Sequence, residues 1–207
     1  MIWTIIICAV IGYVLGGFPT GFLVGKRHNI DIREHGSGNI GTTNSLRVLG
    51  LQAGAVTFIG DIIKTVVAIG LCMWICSRFD VDMKFVQILT ALFVILGHDF
   101  PAALKFKGGK GIAATAGFLV MFDYRMMLIE LIVFLLILVF TRYVSLGSLV
   151  VSVLLPIGLA VFYHANPMFV PMLVISLLIC ALAFVRHKEN IKRLLAGTEN
   201  KFGDPAK

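Results

Sequence analysis

Long apolar stretches alternate with short polar segments along this chain. The four longest cover residues 2–25, 53–76, 144–163 and 168–185. Each has about the 20 residues that a helix needs to cross the hydrocarbon core of a bilayer. The pattern therefore predicts at least four transmembrane helices.

Three shorter apolar stretches lie between the second and third of these spans, at residues 85–97, 111–122 and 126–141. At about 1.5 Å per residue, the two shortest reach only about 20 Å, so they must tilt, be extended by their flanks or cross incompletely. We expect an all-α, polytopic transmembrane helix bundle of seven helices, with five as the fallback.

Composition supports a membrane protein throughout. The 207 residues are 58% hydrophobic and 14% charged, and the mean hydropathy is +0.96, far from the profile of a soluble domain. The first span is too long for a signal-peptide core and no small-residue cleavage site follows it, so we expect a mature helix. Residues 1–207 are predicted to form a single integral membrane domain.

The basic residues predict the orientation. With seven helices and the N-terminus outside, the C-terminus and the segments 26–50, 98–110, 142–143 and 186–207 lie in the cytoplasm. These segments hold 14 of the 18 Lys and Arg residues, as the positive-inside rule requires. The net charge of +7 then reflects topology and an anionic substrate, and a nucleic-acid partner is not needed.

The stretch GSGNIGTTNSLR, residues 36–47, contains the letters of a dinucleotide-binding fingerprint, G-x-G-x-x-G, and Asp61 follows at a suitable distance. That fingerprint works only between a strand and a helix of a βαβ unit. Here a transmembrane span lies on each side, and Asp61 falls inside the second of them beside Lys64. We therefore reject a dinucleotide site and interpret Asp61 and Lys64 as an intramembrane ion pair, which either is structural or shapes the site.

A glycine-rich polar loop with Ser, Thr, Asn and Arg side chains remains. Glycine lets the backbone approach an anion and present its N–H groups, and Arg47 offers a bidentate fork for phosphate. The alternative is a simple turn with Asn44 or a Thr as the N-cap of the next helix.

Two further polar clusters lie on the same predicted face. The first, GHDFPAALKFKGGKG at residues 97–111, combines glycines with lysines before a helix. It is not a Walker A loop, because Gly111 stands where that motif has Ser or Thr, but a helix N-terminus with such neighbours binds phosphate readily. The second cluster, VRHKENIKRLLAGTEN at residues 185–200, ends the last span. Anchoring by positive charge explains the lysines of these clusters but not their Ser, Asn and His residues.

The three blocks together carry a resemblance. S-G-N-x-G-x-x-N-x-x-R at 37–47, G-H-x-x-P with F-x-G-G-K-G at 97–111, and R-H-x-E-N-I-x-R-L-x-x-G-x-E at 186–199 resemble the bacterial acylphosphate:glycerol-3-phosphate acyltransferases in order, spacing and total length. The resemblance implies transfer of a fatty acyl group from acyl phosphate to the 1-hydroxyl of glycerol 3-phosphate. The products would be 1-acylglycerol 3-phosphate (lysophosphatidic acid) and inorganic phosphate, in the first step of phospholipid synthesis.

The resemblance also implies a location and partners. We expect a seven-helix protein of the bacterial inner membrane whose active site faces the cytoplasm. Its partners are the two substrates, membrane lipid and, as a candidate, the enzyme that forms acyl phosphate. We expect no cofactor and no metal, because no metal-ligand spacing occurs and the four cysteines lie in apolar spans.

The expected site residues fall into two groups. The catalytic candidates are Ser37, His98, His187 and Asn190. The candidates for binding substrate and phosphate are Gly38, Asn39, Gly41, Thr42, Asn44, Arg47, Lys107, Gly108, Gly109, Lys110, Gly111, Arg193 and Glu199. Among them the cationic side chains and the glycine N–H groups would hold phosphate, while Ser37, Asn39, Asn44 and Asn190 would orient the hydroxyl or the acyl carbonyl.

The general base stays open among His187, His98 and a phosphate oxygen of a substrate, since no carboxylate partner for a histidine is evident. No histidine here belongs to a His-x4-Asp motif and Ser37 lacks a G-x-S-x-G elbow, so a covalent acyl-serine is not favoured. Glu130, near the outer surface, is expected to reach water.

Two other functional classes were considered. A transporter for phosphorylated solutes would also need a basic mouth, but the chain has no inverted repeat and its polar clusters gather on one side. An alcohol phosphotransferase would need a paired-aspartate metal site, which the sequence does not contain.

Overall fold

The computed structural model describes residues 1–204, and all the regular structure in them is helical. The ten α-helices of this range are α1 (Ile2–Gly16), α2 (Thr20–Arg27), α3 (Thr42–Leu49), α4 (Leu51–Cys76), α5 (Met83–Asp99), α6 (Ile112–Phe122), α7 (Tyr124–Thr141), α8 (Val144–Tyr163), α9 (Phe169–Arg186) and α10 (Lys188–Leu195). The predicted all-α fold is confirmed. The last three residues of the predicted 1–207 domain and of its polar C-terminal segment lie outside the described residues.

Six helical segments are long and apolar enough to cross a membrane: Ile2–Arg27, Leu51–Cys76, Met83–Leu104, Tyr124–Thr141, Val144–Tyr163 and Phe169–Arg186. The seventh predicted span is α6, which has 11 residues and a length of about 16 Å, half the thickness of a hydrocarbon core. The chain is thus a multi-pass membrane protein, while seven complete crossings and the outside N-terminus stay predictions.

Helix α5 lies at the centre of the bundle and packs against α1, α4, α6 and α9. Its buried apolar side chains, such as Ile88 and Val94, form the core with Phe118 of α6 and Ile69 of α4. The outer helices expose apolar side chains, for example Phe140 on α7, as lipid contact requires. The core therefore fixes α4, α5 and α6 against one another, and the site lies at their ends.

The first predicted span is not one continuous helix. It breaks between Gly16 and Thr20, because Pro19 cannot donate a backbone hydrogen bond and restricts the residue before it. The break leaves the carbonyl of Phe18 free to accept a hydrogen bond from Lys64 on α4, at 3.1 Å. The break after α1 is thus joined to α4 by a polar contact inside the bundle.

Glu130 does not reach water as expected. Its side chain is buried on α7, and Oε1 has no hydrogen-bond partner among the described residues. Because α7 packs against α8, Glu130 is buried although it lies close to the predicted membrane surface in the sequence.

Candidate active site

The three sequence blocks meet at one end of the bundle, where they line two cavities of about 1070 and 260 Å³. The larger is open and lined mostly by polar and charged residues, and the smaller is lined in part by residues of α4, α7 and α8. Both are lined by Ser37, Asn39, Arg47, Lys110, Asn190 and Arg193. Six residues that the sequence selected therefore share one site.

Asn44 holds the first loop in shape. Its Oδ1 accepts the N–H of Ser37 at 2.8 Å, and its Nδ2 donates to the carbonyls of Ile32 and His35 at 3.2 and 3.0 Å. The loop turns through Gly36 and Gly38, whose φ angles are +59° and +70°, values that glycine adopts without strain. The Asn44 amide protons are thus committed to the loop backbone, and its direct contact with substrate stays a prediction.

Other side chains of the first loop are available to a ligand. Ser37 is exposed and lines both cavities. Arg47 lines both as well and forms no side-chain hydrogen bond or ion pair within residues 1–204. The hydroxyl of Thr42, on the wall of the smaller cavity, is buried without a partner. A guanidinium and two hydroxyl groups therefore face the site.

The loop of residues 105–111, called the glycine loop below, is clamped by an arginine that is not among the predicted site residues. Arg186, the last residue of α9, donates from Nε and Nη2 to the carbonyl of Gly109 at 2.9 and 2.7 Å, and from Nη2 to Gly108 at 3.0 Å. Nδ2 of Asn39 donates to Gly108 at a longer 3.4 Å. Arg186 directly precedes His187 in the third block, so the motif itself contained this signal.

The glycine N–H groups differ from expectation. Gly38 donates to the carbonyl of His35 at 3.1 Å, Gly41 to Oδ1 of Asn39 at 2.8 Å and Gly109 to the carbonyl of His98 at 2.9 Å. Folding of the loops thus engages three of the four predicted N–H donors, and the binding of phosphate by the glycine N–H groups, Gly108 included, stays a prediction.

Gly111 and Lys107 occupy different parts of the site. Gly111 adopts a φ of +77° as the N-cap of α6 and lines the smaller cavity, so α6 begins at the site. Lys107 is exposed and lines only the larger cavity. Lys107 is thus placed at the mouth.

A chain of polar contacts connects the second and third blocks. Nζ of Lys110 donates to Oδ1 of Asn190 at 2.5 Å, and Nδ2 of Asn190 donates to Oε1 of Glu199 at 2.6 Å. Oε2 of Glu199 accepts from Arg193 at 2.7 Å, and Oε1 accepts from Ser145 of α8 at 2.8 Å. Glu199 therefore orients Asn190 and Arg193. Because protein groups engage both of its carboxylate oxygens, its direct contact with substrate stays a prediction.

Burial sets the protonation of Lys110 and His187. Removal from water lowers the pKa of the Lys110 ammonium to about 8, with Arg193 nearby acting in the same direction and Glu199 opposing it. Burial also lowers the pKa of His187 to about 4. At neutral pH we therefore expect Lys110 to be mostly charged and His187 to be neutral.

His187 has a defined tautomer. Its Nδ1 lies 2.7 Å from the carbonyl oxygen of Ala183, which can only accept, so Nδ1 carries the proton and Nε2 is the acceptor. The other predicted histidine, His98, is 4% exposed and also lines the smaller cavity. His98 contacts Lys64 at 2.9 Å, and Lys64 lies 2.8 Å from Asp61, which confirms the predicted intramembrane ion pair.

The smaller cavity combines polar and apolar walls. Its polar wall includes His98, His187 and Asp61, while Phe58, Phe134 and Leu138 contribute apolar surface between α4 and α7. Such a cavity suits a ligand with a charged head and an apolar tail. Within residues 1–204, no group of three or more His, Cys, Asp or Glu side chains is arranged to hold a metal.

The fold and site define a class: a polytopic helical membrane protein with a cationic cavity at one end of its bundle. The glycerol-3-phosphate acyltransferase family model matches residues 6–197. The chain belongs to this family.

Individual relatives are similar in sequence to this chain over nearly its whole length. The chain is 40% identical to a glycerol-3-phosphate acyltransferase of Clostridioides difficile over 98% of this chain and 97% of the relative, and 39% identical to one of Geobacillus kaustophilus over 95% of both. Two solved structures are similar, both of PlsY (YgiH), an integral membrane glycerol 3-phosphate acyltransferase. The glycerol 3-phosphate form has a TM-score of 0.84 at 34% identity and covers 96% of both chains. The lysophosphatidic acid form has a TM-score of 0.80 at 32% identity, covering 96% of this chain and 95% of that one.

Proposed function

We propose that this protein transfers a fatty acyl group from acyl phosphate to the 1-hydroxyl of glycerol 3-phosphate, giving 1-acylglycerol 3-phosphate and inorganic phosphate. The observation that carries this is the position of Arg47, Lys110 and Arg193 around a cavity that also has an apolar wall between α4 and α7. Family membership, and the glycerol 3-phosphate and lysophosphatidic acid forms of the similar structures, support the acceptor and the product.

The cationic side chains serve to hold two phosphates together. Acyl phosphate and glycerol 3-phosphate repel each other in water, and a site that binds both must supply compensating positive charge. Arg47 has no competing partner in the described part of the chain, while Arg193 and Lys110 are held in place through Glu199 and Asn190. The open cavity of about 1070 Å³ offers room for both head groups.

In the chemical step, the 1-hydroxyl oxygen of glycerol 3-phosphate attacks the acyl carbonyl carbon, and the bond from that carbon to the phosphate oxygen breaks. The hydroxyl proton leaves with inorganic phosphate. Acyl phosphate is a mixed anhydride with a good leaving group, so positioning and charge stabilisation are the main requirements.

His187 orients the hydroxyl in this proposal. Its Nε2 can accept a hydrogen bond, but a pKa of about 4 makes it a weaker base than a phosphate oxygen, whose second pKa is about 6. We therefore assign final proton acceptance to a substrate phosphate and the alignment of the nucleophile to His187. Ser37 and Asn190, also at the site, are assigned to orienting the reacting groups.

The location follows from the same residues. We place the protein in the bacterial inner membrane with this site facing the cytoplasm, because the site carries most of the chain's basic segments and the positive-inside rule puts these inside. Acyl phosphate must come from another enzyme, which we propose as a transient partner at this face.

One experiment tests the donor and the reaction together. The purified full-length protein is given radiolabelled glycerol 3-phosphate with acyl phosphate, acyl-CoA or acyl carrier protein, and labelled lysophosphatidic acid is measured. We expect labelled product with acyl phosphate as the donor, and none with acyl-CoA or acyl carrier protein. Product with acyl-CoA but not acyl phosphate would overturn the donor assignment, and no product with any donor would overturn the reaction.

The same protein in sealed vesicles distinguishes a transporter. Uptake of labelled glycerol 3-phosphate without acylation would favour transport, and we expect none.

A further inference from the structure

Lys64 lies where three helices meet beneath the glycine loop. Its Nζ is 3.1 Å from the carbonyl oxygen of Phe18, at the break after α1, and 2.9 Å from Nδ1 of His98 on α5. Oδ1 of Asp61, on the same helix as Lys64, is 2.8 Å away as an ion pair without hydrogen-bond alignment. Lys64, Asp61 and His98 are 7%, 2% and 4% exposed, so the cluster is sealed on most sides.

The contact with Lys64 determines which nitrogen of His98 carries the proton. Lys64 pairs with the carboxylate of Asp61 at 2.8 Å as an ammonium group, which has donors but no acceptor. Oδ1 of Asp61 lies 3.6 Å from Nδ1 of His98, beyond hydrogen-bond distance, so Nδ1 accepts from Lys64. A neutral imidazole that accepts through Nδ1 carries its proton on Nε2. His98 is thereby fixed as a hydrogen-bond donor at its outer nitrogen.

The outer nitrogen of His98 faces the glycine loop. A Cβ atom added to Gly109 would collide with Nε2 of His98, so any other residue at position 109 would cover this nitrogen. Nε2 has no hydrogen-bond partner within residues 1–204, yet it is not sealed from solvent, and His98 lines the smaller cavity beside Lys110 and His187. Among the described residues this donor is unused, and it belongs to a side chain on the wall of the smaller cavity.

We propose that Lys64 is a positioning residue that holds His98 in its Nε2–H tautomer, so that His98 donates a hydrogen bond to a substrate oxygen in the smaller cavity. That oxygen belongs to a phosphate group or to the acyl carbonyl as it gains negative charge. This proposal rests on the proposed acyl transfer. It gives His98 and His187 opposite tasks, since His187 presents an acceptor nitrogen and His98 a donor.

The tautomer is tested directly by nuclear magnetic resonance. The full-length protein is labelled with 15N at its histidine rings, and the signals of His98 are those that disappear in His98→Gln. We expect a protonated Nε2 and an unprotonated, hydrogen-bonded Nδ1. A proton on Nδ1, or a rapid mixture of both tautomers, would overturn the proposal whether or not the protein transfers acyl groups.

The role of Lys64 needs a variant that leaves no lone buried charge. Asp61→Leu with Lys64→Met removes both members of the ion pair and keeps similar volume, an exchange that folded proteins tolerate. In this double variant we expect the single-tautomer signature of His98 to be lost and kcat/KM to fall about tenfold or more. Glu130→Gln is the matched control, a buried carboxyl of α7 outside the site, and should leave both readouts unchanged.

Graded substitutions of His98 test the donor itself. Glutamine can place an N–H near the position of Nε2, asparagine only near Nδ1, and phenylalanine neither. We expect His98→Gln to retain activity within about tenfold of the parent, and His98→Asn and His98→Phe to lose about 10²-fold, the usual effect of removing one such donor.

The kinetic constants identify the oxygen. A raised KM for either substrate indicates a phosphate oxygen, and a lowered kcat with unchanged KM indicates the acyl carbonyl. Equal activity of His98→Asn and His98→Gln, or wild-type kinetics and spectrum in the folded double variant, would refute the proposal.

Discussion

The carbonyl oxygen of Ala183 lies 2.7 Å from Nδ1 of His187 and leaves Nε2 of that ring as an acceptor at the cavity wall. A backbone carbonyl of α9, one turn before His187, thus determines which ring nitrogen of His187 carries the proton. Because burial also lowers its pKa to about 4, this acceptor is present throughout the neutral range.

The first prediction concerns the acid limb of activity. Protonation of His187 removes the acceptor only as the pH falls toward about 4, whereas an ordinary histidine would lose it near pH 6.5. Profiles of kcat/KM against pH should therefore show no His187-dependent decline between pH 8 and about pH 5.5. His187→Phe, which has no acceptor at this position, should be about 10²-fold less active at all these values; a parent profile that falls near pH 6.5 only when His187 is present would contradict this assignment.

The second prediction concerns the alkaline limb. The lowered pKa of Lys110, about 8, means that its charge is present below this value and lost as the pH rises through it. The KM for glycerol 3-phosphate should therefore rise above about pH 8. In Lys110→Arg the guanidinium stays charged, so any residual activity should lose this dependence. An unchanged alkaline limb in that variant would show that another group is responsible.

The third prediction concerns Glu199. Its carboxylate holds Asn190 and Arg193, so Glu199→Ala should free both side chains and lower kcat/KM by about 10- to 100-fold. Ser145→Ala removes only one neutral hydrogen bond to the same carboxylate, which is worth about 1 kcal/mol, and serves as the control. Equal activities of the two variants in the labelled-substrate assay would argue against an orienting role for Glu199.

The fourth prediction concerns Arg47, whose side chain forms no hydrogen bond or ion pair within residues 1–204. Arg47→Ala should raise the KM for a phosphorylated substrate at least tenfold with little change in thermal stability, since no hydrogen bond or ion pair among the described residues is lost. Lys188→Ala, an exposed cation at the start of α10 that lines neither cavity, is the matched control. If both variants bind substrate as the parent does, Arg47 is not a phosphate ligand.

The fifth prediction compares two glycines. Gly109→Ala should inactivate the enzyme, because its Cβ would collide with His98 and displace the glycine loop. Gly70→Ala on α4 meets no atom within 4 Å and replaces glycine by a better helix former, so it should be neutral or stabilise the fold by about 0.5–1 kcal/mol. Activity and melting temperature together check both outcomes.

Part of the site was predictable from the sequence because its chemistry is local. Arg47, Lys110 and Asn190 stand in polar blocks next to apolar spans, and such residues are readily recognised as ligands for an anion. Arg186 was missed although it begins the third block, since its role as a clamp depends on two carbonyls 77 and 78 residues away. The internal partners of the N–H groups of Gly38, Gly41 and Gly109 could not be predicted for the same reason, because loop folding brings them to His35, Asn39 and His98.

The sequence by itself determined that this is an all-α membrane protein and which three polar blocks carry its chemistry, because hydrophobic length and residue type are properties of the chain. Only the tertiary structure decided how those residues act. Hydrogen bonding and protonation depend on which groups meet and on how deeply they are buried. The two histidines at the cavity show this: the carbonyl of Ala183 gives His187 an acceptor nitrogen, and we infer that the ammonium of Lys64 gives His98 a donor.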